Sequence, residues 1–227
     1  MTIARHAIPV EGGALPLTVA RAGGTGAAVV IVPSAFGVGP DLEAQMAETA
    51  ADARAVVAID PFFREDAGPA AYDDRDRAMG RLQALDRART LRDLGAAIAW
   101  IRDEEGAAAV VVLGICFGGP FALAAAALGL AQGVVTWHGT RMEHALARAA
   151  EMRCPMRLHF GAVDPFVPME AVAAVRAAFA GRADVAITVH EGATHGFSHR
   201  GSARSYQPAA ERAGLDSLRA LARTVTG

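Results

Sequence analysis

A cysteine stands where a charge-free apolar run breaks into small residues: Val110-Val111-Val112-Leu113-Gly114-Ile115-Cys116-Phe117-Gly118-Gly119-Pro120. A strand that feeds Gly-x-Cys-x-Gly and then a helix has the form of a nucleophile elbow with cysteine in the serine position. The turn is so tight that the residues two before and two after the nucleophile need almost no side chain, which Gly114 and Gly118 satisfy, with Gly119 beside them. Cys116 then sits at a helix N-terminus, whose partial positive charge favours a thiolate. The Phe117 amide points to where a tetrahedral oxyanion forms. Pro120 falls in the first helical turn, where a missing N–H costs little.

A nucleophile needs a base, and in this frame the chain order is nucleophile, acid, histidine. Asp164 follows the apolar stretch Arg157–Phe160 in Gly161-Ala162-Val163-Asp164-Pro165, and His195 follows Val185–Val189 in Gly192-Ala193-Thr194-His195-Gly196-Phe197. His195 is expected to take the Cys116 proton and return it to the leaving alcohol, with Asp164 fixing the imidazole tautomer. The loop after the third strand, Pro33-Ser34-Ala35-Phe36-Gly37, is expected to supply a second oxyanion amide from Ala35.

These three blocks, in order and each after a strand, resemble the catalytic blocks of the dienelactone hydrolase family of α/β hydrolases over nearly the whole chain. Ala35-Phe36-Gly37 and Asp60-Pro61-Phe62-Phe63-Arg64 also resemble family segments. The resemblance implies hydrolysis of a lactone or ester through a thioester, with no metal or organic cofactor and no large lid. It also implies a glutamate just before the oxyanion residue, where this chain has Ser34, and two arginines that hold a substrate carboxylate. Arg75 or Arg77 fits the first arginine, and His199, with Arg200 adjacent, falls at the second. Phe36 and His138, in Trp137-His138-Gly139 after a strand, are further expected to line the pocket.

The elements that must position these residues are legible as alternation. Ala4–Val10 and Leu15–Arg21 read as opening strands. Ala28–Val32, Ala55–Ile59, Ala109–Leu113, Gly133–Trp137, Arg157–Phe160 and Val185–Val189 read as compact apolar strands. Helical segments are expected at about Asp41–Asp52, Asp76–Glu104, Phe117–Leu130, Met142–Glu151, Pro168–Ala180 and Ser205–Val225. The pattern predicts an α/β-hydrolase fold in one domain over residues 1–227, a mostly parallel sheet of about eight strands with helices on both faces. Arg64–Asp76 is the least regular stretch, a loop near the strand ends where sites form in such sheets.

Composition narrows the chemistry. The 22 basic residues are all arginine, so Walker A phosphate binding, Schiff bases and pyridoxal phosphate are excluded. A formal net charge of -2 offers no basic stripe for nucleic acid. Cys116 and Cys154 lack the paired spacing of a zinc or CxxC site, and His6, His144, His159 and His190 show no metal spacing. Ala107–His138 carries no Asp, Glu, Arg or Lys, but Gly114, Gly118, Gly119 and Pro120 divide it into a buried strand and a buried helix rather than a membrane span. Met1–Ala14 has no apolar signal core, so the cytoplasm is the expected compartment. The expected partner is a small ester or lactone, anionic if the arginines bind it, with no nucleic acid or membrane, and the chain acts as a monomer or small homo-oligomer.

Two other readings use the same residues. A general short-chain carboxylesterase would keep the triad and change only the substrate. In a different class, Gly37-Val38-Gly39 before a helix with Asp60 at the next strand end resembles a nicotinamide dinucleotide site, and Cys116 alone suits a redox-sensing thiol. Leu42 at the third glycine position, with Asp41 and Glu43 opposing a pyrophosphate, argues against the dinucleotide.

Overall fold

The computed structural model describes residues 1–225 of the chain, and the last two residues of the expected 1–227 domain lie outside them. Strands β1 (Thr2–Val10), β2 (Gly13–Arg21), β3 (Ala28–Val32), β4 (Val56–Ile59), β5 (Val110–Ile115), β6 (Gly133–Trp137), β7 (Met156–Gly161) and β8 (Val185–His190) form one sheet. Their spatial order is β1-β2-β4-β3-β5-β6-β7-β8. β1 and β2 form an antiparallel hairpin, β2 lies antiparallel to β4, and every other pairing is parallel.

The helices are α1 (Pro40–Thr49), α2 (Arg75–Ala84), α3 (Arg87–Glu105), α4 (Gly119–Ala127), α5 (Met169–Ala178) and α6 (Pro208–Thr224). Central strands bury both faces, so each contributes alternate residues to two cores. Val30, Val32, Val110 and Val112 join Leu94 and Ile98 of α3, Phe121 and Leu123 of α4 and Val172 of α5 on one side. Val29, Ile31, Val111 and Leu113 join Leu42 and Met46 of α1 and Leu215 and Leu218 of α6 on the other. The charge-free run resolves into β5, α4 and β6, and among the described residues no helix is long and apolar enough to cross a membrane.

Two expected helices change form. Asp76–Glu104 divides into α2 and α3, because Leu85 takes an extended conformation and the Asp86 carboxylate caps α3 by accepting from the Arg89 amide at 3.0 Å. Met142–Glu151 is 3₁₀ turn with a non-helical break at Arg148. The C-terminal helix begins at Pro208 rather than Ser205, with proline in the first turn where its fixed φ suits a helix start.

Candidate active site

β5 ends at Ile115, and Cys116 opens a single 3₁₀ turn before α4. Its φ of 57° is in the left-handed region, a strained conformation for a residue with a side chain. The turn can close this tightly because the flanking residues are glycines. A Cβ on Gly114 would lie 2.4 Å from the Gly118 carbonyl oxygen, and one on Gly118 would lie 2.5 Å from that of Val32. Gly119 is also close-packed, though less tightly, with a Cβ there 2.9 Å from Gly139 Cα. The Cys116 carbonyl accepts from the Thr140 amide at 3.0 Å, which ties the elbow to the turn after β6.

Asp164 and His195 arrive from the ends of β7 and β8. The His195 Nε2 lies 3.2 Å from Cys116 Sγ and its Nδ1 lies 2.7 Å from Asp164 Oδ2. The Asp164 side chain is wholly shielded from solvent, and its Oδ1 accepts from the Phe166 amide at 2.8 Å. Burial opposes a charge on His195, but the Cys116 sulfur and the Asp164 carboxylate on either side outweigh it and raise its pKa to about 10. The arrangement therefore favours a protonated imidazole, with one N–H directed at Asp164 and the other at the Cys116 sulfur.

Phe117 and Ala35 both line the cleft over Cys116. Phe117 is in the first turn of the elbow helix, where backbone amides lack partners in their own helix. The Ala35 loop is braced by a residue that sequence reasoning missed: Arg81, fully buried on α2, donates to the Ala35 carbonyl at 3.2 Å and to the Gly68 carbonyl at 2.9 Å. It also donates to the Asp66 carbonyl, and its guanidinium lies 4.4 Å from the Phe62 ring centroid. Asp60 completes the brace by accepting from the Gly68 amide at 2.7 Å and the Phe62 amide at 3.0 Å. The irregular Arg64–Asp76 segment is thus tied down along its first half.

The remaining candidates separate. Phe36, Arg75 and His199 line the same cleft as Cys116 and His195, a space of about 1570 Å³. Arg77 is instead committed to Asp66, with Nε 2.8 Å and a terminal nitrogen 2.6 Å from its oxygens. Arg200 is committed to Glu48 at 2.7 Å and Glu211 at 2.5 Å. Ser34 lines a small crevice with Leu42 and Gln45 behind the loop, and its hydroxyl accepts from the Phe36 amide at 3.3 Å. The Asp41 carboxylate, at the first turn of α1, accepts from the Gly201 amide at 2.6 Å and puts a negative charge at a helix N-terminus, which opposes a pyrophosphate there.

His138 is fully buried behind His195, their ring centroids 4.7 Å apart and nearly perpendicular. Its Nε2 lies 2.9 Å from the Ser198 hydroxyl, a partner that sequence reasoning did not identify. Burial, reinforced by His195 and His199, pushes the His138 pKa well down and keeps the ring neutral. Burial likewise takes His199 down to about 3, with its ring stacked on Tyr72 at 4.8 Å. Cys116, His138 and His195 bring ligand atoms within 4.8 Å of one another, a consequence of triad packing in which the sulfur already has the His195 proton as its partner.

Residues 17–224 match the family model described as the dienelactone hydrolase family. Among curated relatives, a carboxymethylenebutenolidase from a Pseudomonas species is 31% identical over 195 residues, covering 83% of this chain and 81% of its own. The carboxymethylenebutenolidase of Pseudomonas putida is 29% identical over 179 residues, covering 77% and 76%. Among solved structures, a candidate dienelactone hydrolase from Klebsiella pneumoniae superposes with a TM-score of 0.84 at 25% identity, covering 96% of this chain and 97% of that one.

Proposed function

The chain belongs to the dienelactone hydrolase family, and on that premise we propose that it hydrolyses a lactone or carboxylic ester by attack of Cys116, through a covalent thioester. The observation that carries this reading is the line from Asp164 through His195 to Cys116, with contacts of 2.7 Å and 3.2 Å.

The Cys116 sulfur adds to the carbonyl carbon, and the carbonyl π electrons move onto oxygen, where the amides of Phe117 and Ala35 face the developing charge. Collapse restores the carbonyl and breaks the bond to the alcohol oxygen, which takes the Nε2 proton of His195 as it leaves. In a lactone that alcohol remains attached at the far end of the acyl chain. Neutral His195 then takes a proton from water as its oxygen adds to the thioester. Collapse of this second intermediate expels the Cys116 thiolate beside a re-formed imidazolium, and the acid product ionises into solvent. Asp164 keeps Nδ1 protonated throughout, so only Nε2 exchanges its proton.

The cytoplasm is the setting we propose, because the reaction needs Cys116 as a free thiol and both cysteines are unpaired. The test is a panel of an anionic dienelactone, neutral lactones and short p-nitrophenyl esters, with wild type beside Cys116→Ala. Turnover that depends on Cys116 and prefers the dienelactone supports the lactonase reading. Turnover of neutral esters alone retains the mechanism and makes the protein a general carboxylesterase, and equal turnover by both proteins removes Cys116 from the chemistry.

A further inference from the structure

His195 packs against two aromatic rings of opposite exposure. Fully buried His138 is one, with its centroid 4.7 Å away, and Phe166 is the other, with its centroid 5.0 Å away at an interplanar angle of 67°. Phe166 is 64% exposed, whereas the other eight phenylalanines of the chain are buried or half-buried. Its ring lines the same cleft as Cys116.

The loop that carries this open ring is stiff. Pro165 and Pro168 restrict the backbone on either side, Val167 is anchored in the core, and the Phe166 amide donates to Asp164 Oδ1 at 2.8 Å. An aromatic face held in place beside a reacting group loses little conformational freedom when a ligand covers it.

The stereochemistry of the reaction says which part of a substrate meets that face. The tetrahedral carbon formed on Cys116 carries sulfur, an oxyanion facing the Phe117 and Ala35 amides, a leaving oxygen that has to reach His195 Nε2, and the acyl chain in the direction that remains. Nε2 lies 3.2 Å from Sγ, so the carbon attached to the leaving oxygen is the part of the substrate that comes nearest to His195 on the cleft side, where Phe166 stands. The Phe166 side chain offers neither charge nor a hydrogen-bond donor. What it recognises is apolar surface, and an aromatic ring best of all.

We propose that Phe166 is a platform for the alcohol half of the ester and selects alcohols with an aromatic ring close to the ester oxygen, a role that rests on Cys116 and His195 acting on esters as proposed above. In a lactone the same contact falls to an apolar substituent on the alkoxy carbon.

Benzyl acetate and methyl phenylacetate test this, because they are isomers that carry the same ring on the alcohol side and on the acyl side, and methyl acetate carries no ring. In Phe166→Ala, kcat/KM for benzyl acetate relative to methyl acetate should fall about three- to tenfold, while that for methyl phenylacetate relative to methyl acetate stays within about twofold of wild type. Each ratio is taken within one protein, so partial unfolding of a variant does not imitate the effect. Phe166→Tyr keeps the ring and should keep the first ratio. Val163→Ala removes another exposed apolar side chain from the same loop and should leave that ratio where it is. A uniform fall for all three esters would make Phe166 only a shield over the triad and overturns the platform. Unchanged ratios overturn it too, as does a fall in the acyl-side ratio, alone or together with the other. If no ester is turned over, the hydrolase reading fails, and binding of benzyl alcohol followed by saturation-transfer NMR decides the platform by itself. Weaker binding in Phe166→Ala then keeps the platform, and binding indifferent to the substitution removes it.

Discussion

The Asp164 carboxylate and the His195 ring meet at 2.7 Å in a place where the Asp164 side chain has no contact with solvent. One oxygen faces the imidazole and the other accepts from the Phe166 amide, so the carboxylate has little freedom to turn. Replacing it tests orientation separately from packing. Asp164→Asn keeps an acceptor toward Phe166 but presents an amide to Nδ1, which favours the wrong tautomer. The expected loss in kcat is on the order of 10²- to 10⁴-fold, with a thermal midpoint close to wild type. Activity assays beside thermal unfolding check both parts.

The raised pKa of His195 fixes a pH dependence. Below about 10 the imidazolium is present and can donate to a leaving alkoxide. As pH rises through that value the acid is lost, so kcat/KM for an alkyl ester should fall on the alkaline side. An ester of p-nitrophenol, which leaves without a proton, should show a shallower limb. Parallel pH profiles for the two esters read the difference directly.

Stability should depend on pH with the opposite sign at the acid end. His199 and His159 are buried and neutral, with burial depressing their pKa values to about 3 and about 4 from an ordinary 6.5. A histidine lowered on folding binds fewer protons than the unfolded chain, so its stabilisation is complete above 6.5 and is lost as pH falls toward the folded value. Each contributes a slope of up to ~1.4 kcal/mol per pH unit in that window. His195 runs the other way: its stabilisation is present below 6.5 and lost as pH rises through about 10. Urea midpoints measured from pH 6.5 down to 5 should therefore fall, and His199→Phe should flatten the slope.

The ends of the strands were legible in the sequence because apolar runs and glycines fix where a buried backbone must stop and turn. Cys116, Asp164 and His195 each follow such a run, and the structure brings all three together. The residues around them were not legible in the same way. Whether Arg77 faces substrate or Asp66 depends on the path of Asp60–Asp74, which no periodicity encodes. The split between α2 and α3 depended on the Asp86 cap, a short polar residue inside an otherwise helical pattern. Arg81 reads from sequence as one more charged helix residue, and only the folded loop shows that it is buried beneath the Ser34–Gly37 turn.

That position gives a stability and activity prediction together. Arg81→Met keeps the apolar stem over Phe62 but leaves the Ala35 and Gly68 carbonyls without their donor. The cost should be about 2–4 kcal/mol in unfolding free energy, since hydrogen bonds to a charged group are lost in a buried setting. Because the Ala35 amide also moves, kcat should fall by roughly 10- to 100-fold with a smaller change in KM. Steady-state kinetics at a temperature where the variant remains folded separates the two effects.

The most direct measurement is of the covalent step itself. Rapid mixing with a p-nitrophenyl ester, acid quench and peptide mass spectrometry should find a single acyl group on the peptide that carries Cys116, labile to hydroxylamine and absent from the Cys154 peptide. Its formation should match the burst of p-nitrophenol, and Cys116→Ala should show neither adduct nor burst. Turnover with no acyl group on Cys116, or turnover undiminished in Cys116→Ala, would contradict nucleophilic catalysis at the elbow.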